Sequence, residues 1–280
     1  MQNLKIALLS TFALLVLITA CRKADDTTED VIAAEEVSNT RDYALTQSLY
    51  TEAWETAVES AQKEAALNGF VQTNAQDRGT CPAVSLMPVE AGVFPKTLTI
   101  DFGTGCTTTG GQTASGKITA VFSGEINKSG SNITVTLENF TYRGYAVAGT
   151  YNVKINPVGT YTGTITNGSI KTPDGKTATY TGTFTATQIE GQSTTGQNAT
   201  GDDVYSIAVN LSGVDTNGKS YTAQTTTALR KELDCEWIVS GVVEIKITGQ
   251  AKKILDFGQG TCDNTATLKV GPLSSTVQLP

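Results

Sequence analysis

The sequence predicts an all-β fold: a mostly antiparallel sheet that forms a sandwich or a curved half-barrel, preceded by one N-terminal α-helix. The first observation is that apolar and Thr-rich positions alternate with a period of two through residues 81–280, which is typical of strands with one buried face. The second is that strong turn sequences, such as Asn167-Gly168 and Asp174-Gly175, separate these runs. We therefore assign 81–280 to one β domain. The clearest alternating runs are 98–102, 133–137, 151–155, 205–211 and 237–247.

One helix is predicted ahead of the β domain in the segment 41–69, from about residue 41 to residue 68. Aromatic and aliphatic side chains recur there at helical spacing, among them Tyr50, Trp54 and Val58, and Gly69 is a natural stop just past the end. We expect this face to pack on the β domain; the alternative is a helix that binds a partner. The charged residues are expected mainly on the other, solvent face: Glu52, Glu55, Glu59 and Lys63.

The N-terminus has the pattern of a lipoprotein signal peptide, residues 1–20. Lys5 precedes an apolar run over 6–18, which is too short to span a bilayer comfortably and fits a signal-peptide core. The run ends in Leu-Ile-Thr-Ala-Cys at 17–21, which resembles the lipobox of bacterial lipoproteins. In that family a diacylglycerol is attached to the Cys and the peptidase cuts before it. Cys21 is therefore the predicted lipidation site; the alternatives are a plain secretory signal or a membrane helix.

Residues 21–40 are predicted to be a disordered tether, because 22–30 is charged and lacks large apolar side chains. Arg22 follows the predicted lipidated Cys, where Asp is the usual signal for retention in the inner membrane. A Lys and then paired acids at 23–26 resemble the surface-export signal of Bacteroidetes lipoproteins. The expected location is the outer membrane, on its periplasmic face or at the cell surface.

The β domain contains a duplication that brackets its four cysteines. Thr97 to Cys106 resembles Lys253 to Cys262, with Asp-Phe-Gly in both copies, and another Cys precedes each copy, at Cys81 and Cys235. Each unit is therefore predicted to be a two-strand hairpin whose first and last residues are neighbours. This favours disulfides within each copy. Pairing between the copies is the alternative, and a zinc site is disfavoured because there are no close Cys pairs.

Asp-Phe-Gly also occurs in protein kinases, but the chain has no catalytic-loop motif and no Gly-rich ATP loop. We expect Phe102 and Phe257 to point inward, and Asp101 and Asp256 to accept hydrogen bonds from turn N–H groups. A functional pair of acids is the alternative.

Composition excludes several classes of function. The chain has no histidine, which removes Ser-His-Asp triads, Cys-His pairs and His-ligated metals. Its net charge is −7 and it has no basic stripe, which argues against nucleic-acid binding. The loop 215–219 looks superficially like a calcium loop but lacks the further carboxylates, so a turn is expected. No cofactor and no metal are predicted.

The lipobox, the two Asp-Phe-Gly hairpins, and the segments 235–241 and 262–264 together resemble a family of uncharacterised β-rich Bacteroidetes lipoproteins. The resemblance implies export and a β-rich body, and it implies no activity. Three functions are therefore considered. The first is a non-enzymatic binding, adhesion or envelope-structural module with a glycan or protein ligand. The second is a carrier of a lipid or other apolar ligand, for which a large apolar cavity would be the mark. The third is a carboxylate-dependent envelope glycosidase, for which two acids facing each other across a cleft would be the mark.

Overall fold

The computed structural model describes residues 32–64, 81–108, 111–157, 159–192 and 202–279. They form one helix, α1 (Ala34–Gln62), followed by strands only. The strands are β1 (Ala83–Met87), β2 (Lys96–Thr107), β3 (Thr113–Phe122), β4 (Asn132–Tyr142), β5 (Tyr145–Asn156), β6 (Thr160–Lys171), β7 (Thr177–Glu190), β8 (Val204–Val214), β9 (Ser220–Glu232), β10 (Ile238–Ile247), β11 (Lys253–Gln259), β12 (Thr265–Val270) and β13 (Leu273–Gln278).

The strands make a single antiparallel sheet in which every strand pairs with the next one along the chain, from β1 to β13. This confirms the predicted all-β fold with one N-terminal helix. The described part of the chain forms one sheet rather than two, which selects the curved arrangement over the sandwich. Helix α1 packs against β2, β3, β4 and β13. Because these strands come from both ends of the sheet order, the sheet curls round the helix.

The period-two pattern produces the concave core. In β2, Leu98, Ile100 and Phe102 are buried while the intervening residues are partly exposed. The same alternation runs through β10, where Val243 and Ile245 are fully buried. Burying one such side chain stabilises the fold by about 1.5 to 3 kcal/mol. The sheet therefore presents an apolar inner face to the helix and a Thr-rich outer face to solvent.

The helix differs from its predicted bounds. It begins at Ala34 and ends at Gln62, so residues 34–40 of the predicted tether are helical, while 21–31 and 65–69 lie outside the described residues. The first turns of the helix are polar and therefore resemble a tether in sequence. Yet Asn39 and Thr40 are buried, and the Asn39 amide exchanges hydrogen bonds with Gln250 and Asn217 in two strand turns. The polar composition reflects contacts with these turns, not disorder.

Both predicted disulfides are confirmed. Cys81 is bonded to Cys106 and Cys235 to Cys262, with Cα–Cα distances of 5.9 and 5.8 Å. The bonds close each copy of the duplication on itself, so the alternative pairing between copies is wrong. Closing loops with separations of 25 and 27 residues stabilises the fold by roughly 3 to 4 kcal/mol each.

Candidate functional site

The helix is fixed to the concave face by three hydrogen bonds that involve buried tyrosines. The Tyr50 hydroxyl donates to the Ala148 carbonyl oxygen at 2.5 Å, and the Tyr151 hydroxyl donates to the Tyr50 carbonyl oxygen at 2.8 Å. The Tyr180 hydroxyl donates to the Gln47 side-chain oxygen at 3.1 Å. These bonds satisfy polar groups that burial would otherwise leave unpaired.

A glycine in β6 makes room for this contact. A Cβ atom on Gly168 would lie 2.7 Å from the Tyr50 hydroxyl oxygen and 2.4 Å from the Tyr180 carbonyl oxygen. A side chain at this position would collide with the backbone of β7 and displace the Tyr50 hydroxyl. Gly168 therefore allows both the pairing with Tyr180 and the approach of the Tyr50 side chain.

Beside these contacts, a cleft of about 150 Å³ lies between α1 and strands β4–β9. We call it the aromatic cleft. It is defined by six partly buried side chains: Trp54, Val58, Tyr161, Phe184, Tyr205 and Ile207.

The rings of the aromatic cleft do not stack on one another. The Trp54 ring lies 6.4 Å from the Phe184 ring in an edge-on arrangement, and the Tyr161 and Tyr205 rings lie 6.3 Å apart in a tilted one. Because these pairs are not stacked face to face, ring faces remain available to a further apolar group. The cleft is therefore a place where the sheet and the helix do not fill the space between them.

A second cleft, of about 100 Å³, adjoins the aromatic cleft. We define it by Tyr43, Glu52, Tyr142 and Trp237. The two clefts share helix and strand residues, including Glu55 of α1 and Lys231 of β9. They are therefore neighbours along the same side of the helix.

An ion pair lies where the clefts meet. The Lys231 ammonium is 3.2 Å from a Glu55 carboxylate oxygen and donates to the Cys235 carbonyl oxygen at 2.6 Å. Burial raises the pKa of the Glu55 carboxyl, and Lys231 opposes that rise. Burial also raises the pKa of Glu52, against the Tyr142 hydroxyl that hydrogen-bonds to it.

These acids correct one sequence expectation. Glu52 and Glu55 were expected mainly on a solvent face, but both are partly buried and line clefts. The reason is that a sheet curled round a helix covers more than its apolar stripe. Glu59 is exposed, as predicted, although it too borders the aromatic cleft.

The second cleft also has unused hydrogen-bonding capacity. The Trp237 indole nitrogen is buried and has no acceptor within the described ranges. The Tyr43 hydroxyl oxygen is likewise buried without a partner among those residues. Buried polar atoms are usually paired, so these two groups are exceptions among the described side chains.

The remaining predicted residues have mostly structural positions. The Asp215 carboxylate accepts from the backbone N–H groups of Asn217 and Lys219, which confirms the turn predicted at 215–219. Cys21 lies outside the described residues. Across 32–64 and the described parts of 81–279, no group of three or more acidic or Cys side chains could hold a metal ion.

The aromatic cleft is not predictable from local sequence patterns, because its strand residues occupy the inward positions of ordinary strands. The available signal was the aromatic side chains on inward positions of consecutive strands, at Tyr161, Phe184 and Tyr205. Large flat rings at neighbouring inward positions leave gaps that aliphatic side chains would fill.

Comparison with known proteins finds no matching family model, no matching curated protein and no matching solved structure. None of the helices formed by the described residues is long and apolar enough to cross a membrane.

Proposed function

We propose that this chain is a lipid-anchored, non-enzymatic binding protein of the bacterial outer membrane, and that the aromatic cleft holds an apolar group of its ligand. The observation that carries the proposal is the cleft itself, open space lined by aromatic rings inside an otherwise packed core. Clefts lined by apolar and aromatic side chains with a few polar groups are the usual form of small-ligand sites.

The size of the cleft sets the size of the group that it holds. An apolar cavity of about 150 Å³ accommodates a benzene-sized molecule, whereas sites for drug-sized ligands measure about 300 to 1,000 Å³. A volume of about 150 Å³ therefore suits one ring or a short segment of an acyl chain. This supports a module that grips part of a ligand, in preference to a carrier that encloses a whole lipid.

One observation favours the carrier as a second candidate. The aromatic cleft and the second cleft adjoin and are separated by the Glu55–Lys231 pair. If this pair opened, the two clefts would join under the helix and take a longer apolar chain.

The cleft is tested by filling it. Ala186 lines the aromatic cleft, so Ala186→Trp places a ring in the open space, while Ile189→Trp places the same ring on an exposed position of the same strand. Binding of a neutral naphthylamine probe is measured by its fluorescence in exported Cys21→Ala protein, which needs no detergent. We expect Ala186→Trp to weaken binding at least tenfold and Ile189→Trp to leave it unchanged. Absence of binding to the parent protein would refute the proposal.

The anchor is tested separately. The Cys21→Ala protein is expected to lose palmitate labelling and to leave the membrane fraction, because the mature chain that follows is polar. A Cys106→Ala protein is the control and should still be labelled. Labelling of the Cys21→Ala protein would contradict the lipidation site.

A further inference from the structure

The helix wall of the two clefts is acidic. Glu55 borders both clefts, Glu59 borders the aromatic cleft and Glu52 borders the second cleft. Because these residues are three or four positions apart, they follow one another along one side of α1. That side faces the cleft-lining residues of β6–β9.

The opposing positive charge is smaller and already engaged. Among the described residues that line the aromatic cleft, Lys231 is the basic one and Glu55 and Glu59 are the acidic ones. Its ammonium is 3.2 Å from Glu55 and also donates to the Cys235 carbonyl oxygen. Two carboxylates and one ammonium therefore leave the aromatic cleft with a net negative charge.

The second cleft has the same imbalance. Its acids are Glu52, Glu55 and Glu236, and its basic residues are Lys231 and Arg143. Three carboxylates thus face two cations.

An acid behind the tyrosines adds to the negative charge. The buried Asp203 carboxylate, held by the Gln188 amide at 2.8 Å, contributes to a raised pKa of both Tyr161 and Tyr205. Burial is the larger cause in both tyrosines.

The aromatic rings, like the carboxylates, favour a cation over an anion. The face of an aromatic ring is electron-rich and attracts a cation, by about 0.5 to 2 kcal/mol according to its exposure. An anion near Trp54 or Tyr205 gains nothing of this kind. An anion beside the partly buried carboxylates would add repulsion in a region where water screens little.

We infer that the clefts select an amphiphile by charge, taking a short alkyl chain or ring joined to an amine or quaternary ammonium and rejecting the corresponding carboxylate. The apolar part lies in the aromatic cleft among Val58, Phe184 and Ile207, and the ammonium lies beside Glu55 and Glu59. This inference rests on the proposed function, because it assigns the ligand of the same site.

Three ligands with matched ten-carbon chains test the inference: decyltrimethylammonium, decanol and decanoate. Each is used below its micellar concentration to displace the naphthylamine probe from exported Cys21→Ala protein. We expect the ammonium to bind most tightly and the carboxylate at least tenfold more weakly. Equal binding of all three would overturn the charge selection and leave the proposed function standing. If none of them displaces the probe, and the probe itself does not bind, the proposed function fails.

Two variants connect the selection to named residues. Glu59 is exposed, so Glu59→Gln should fold normally, and we expect it to reduce the preference for ammonium over carboxylate about threefold. Glu138→Gln, on the outer face of β4, is the matched control and should change neither. Glu55→Gln should also reduce the preference. A full preference retained by both Glu59→Gln and Glu55→Gln would refute the assignment.

Discussion

The two disulfide hairpins of this protein share a local design but differ in what surrounds them. The first comprises Cys81, β1, β2 and Cys106; the second comprises Cys235, β10, β11 and Cys262. In the first, Asp101 accepts a hydrogen bond from the Gly103 N–H at 2.8 Å. In the second, Asp256 accepts from the Gly258 N–H at 3.1 Å.

The likeness extends to the next strand. Lys117 of β3 is 3.4 Å from Asp101, and Lys269 of β12 is 3.3 Å from Asp256. The duplication therefore preserves a turn, an ion pair and a disulfide. Since neighbouring strands are antiparallel and β10 is nine strands after β1, the two hairpins run in opposite directions along the sheet.

The environments of the hairpins differ. Strand β1 is the first strand in the sheet order; its last residue, Met87, is exposed, as are Val89 and Val93 in the loop that follows. Strand β10 is paired on both sides, and the loop before it places Trp237 in the second cleft. The first hairpin thus forms the edge of the sheet, and the second contributes to the wall of the second cleft.

The two hairpins differ most clearly in the contacts of a buried lysine that each of them contains. Lys96 and Lys253 each begin the second strand of a hairpin, and neither is exposed. The Lys96 ammonium donates to two carbonyl oxygens in its own loop, those of Pro88 and Glu90. The Lys253 ammonium donates to the Gln250 side chain and is 3.9 Å from the Glu36 carboxylate of the helix. One lysine holds a loop, and the other holds α1 to the sheet.

The largest expected effect comes from removing the disulfides. Replacing either Cys pair by Ser should lower the free energy of unfolding by about 3 kcal/mol, measured by urea denaturation. Of the two double variants, we expect the one that lacks the Cys235–Cys262 bond also to bind the naphthylamine probe more weakly. The reason is that this bond fixes the loop in which the Cys235 carbonyl oxygen accepts a hydrogen bond from Lys231. Equal losses of binding in the two double variants would remove the functional difference between the hairpins.

The lysines give the next largest effect. Lys96→Met and Lys253→Met should each lower the free energy of unfolding by about 2 kcal/mol, because each leaves buried acceptors without their charged donor. Hydrogen exchange separates them. Lys253→Met should accelerate exchange in the first half of α1, and Lys96→Met should not. Accelerated exchange of the helix in both variants would show that the loop and the helix are coupled.

The sequence was sufficient for those features that depend on neighbours in the chain or in a hairpin. Strand alternation predicted the sheet, and the spacing of Cys81 and Cys106 around a hairpin predicted their bond. The Asp-Phe-Gly repeat predicted that Asp101 and Asp256 cap turns, which their hydrogen bonds to Gly103 and Gly258 confirm.

Features that depend on the curvature of the sheet could not be predicted in this way. Asn39 lies in a polar segment that is typical of a tether. Its burial depends on contacts with two turns that are distant in the sequence. The sequence pattern predicts that Glu55 faces solvent. In the structure, Glu55 is partly buried and pairs with Lys231 of β9. The aromatic cleft exists because the helix and the strands β6–β9 do not pack closely there. Local sequence patterns do not indicate this gap.

The smallest expected effect concerns the Asp-Phe-Gly turns and decides whether the two copies are equivalent. Asp101→Ala and Asp256→Ala each remove an acceptor for a turn N–H and should cost about 1 kcal/mol. Asp101→Asn and Asp256→Asn keep an acceptor oxygen and lose only a partly exposed ion pair with Lys117 or Lys269. Such pairs contribute about 0.5 kcal/mol, so the Asn variants should lie close to the parent protein. If the turn is the common element, the two Ala variants will agree within about 0.5 kcal/mol in urea denaturation. A much larger cost at Asp256 would mean that the second copy depends on this turn to support the cleft wall, and the likeness of the hairpins would then be one of sequence more than of energetics.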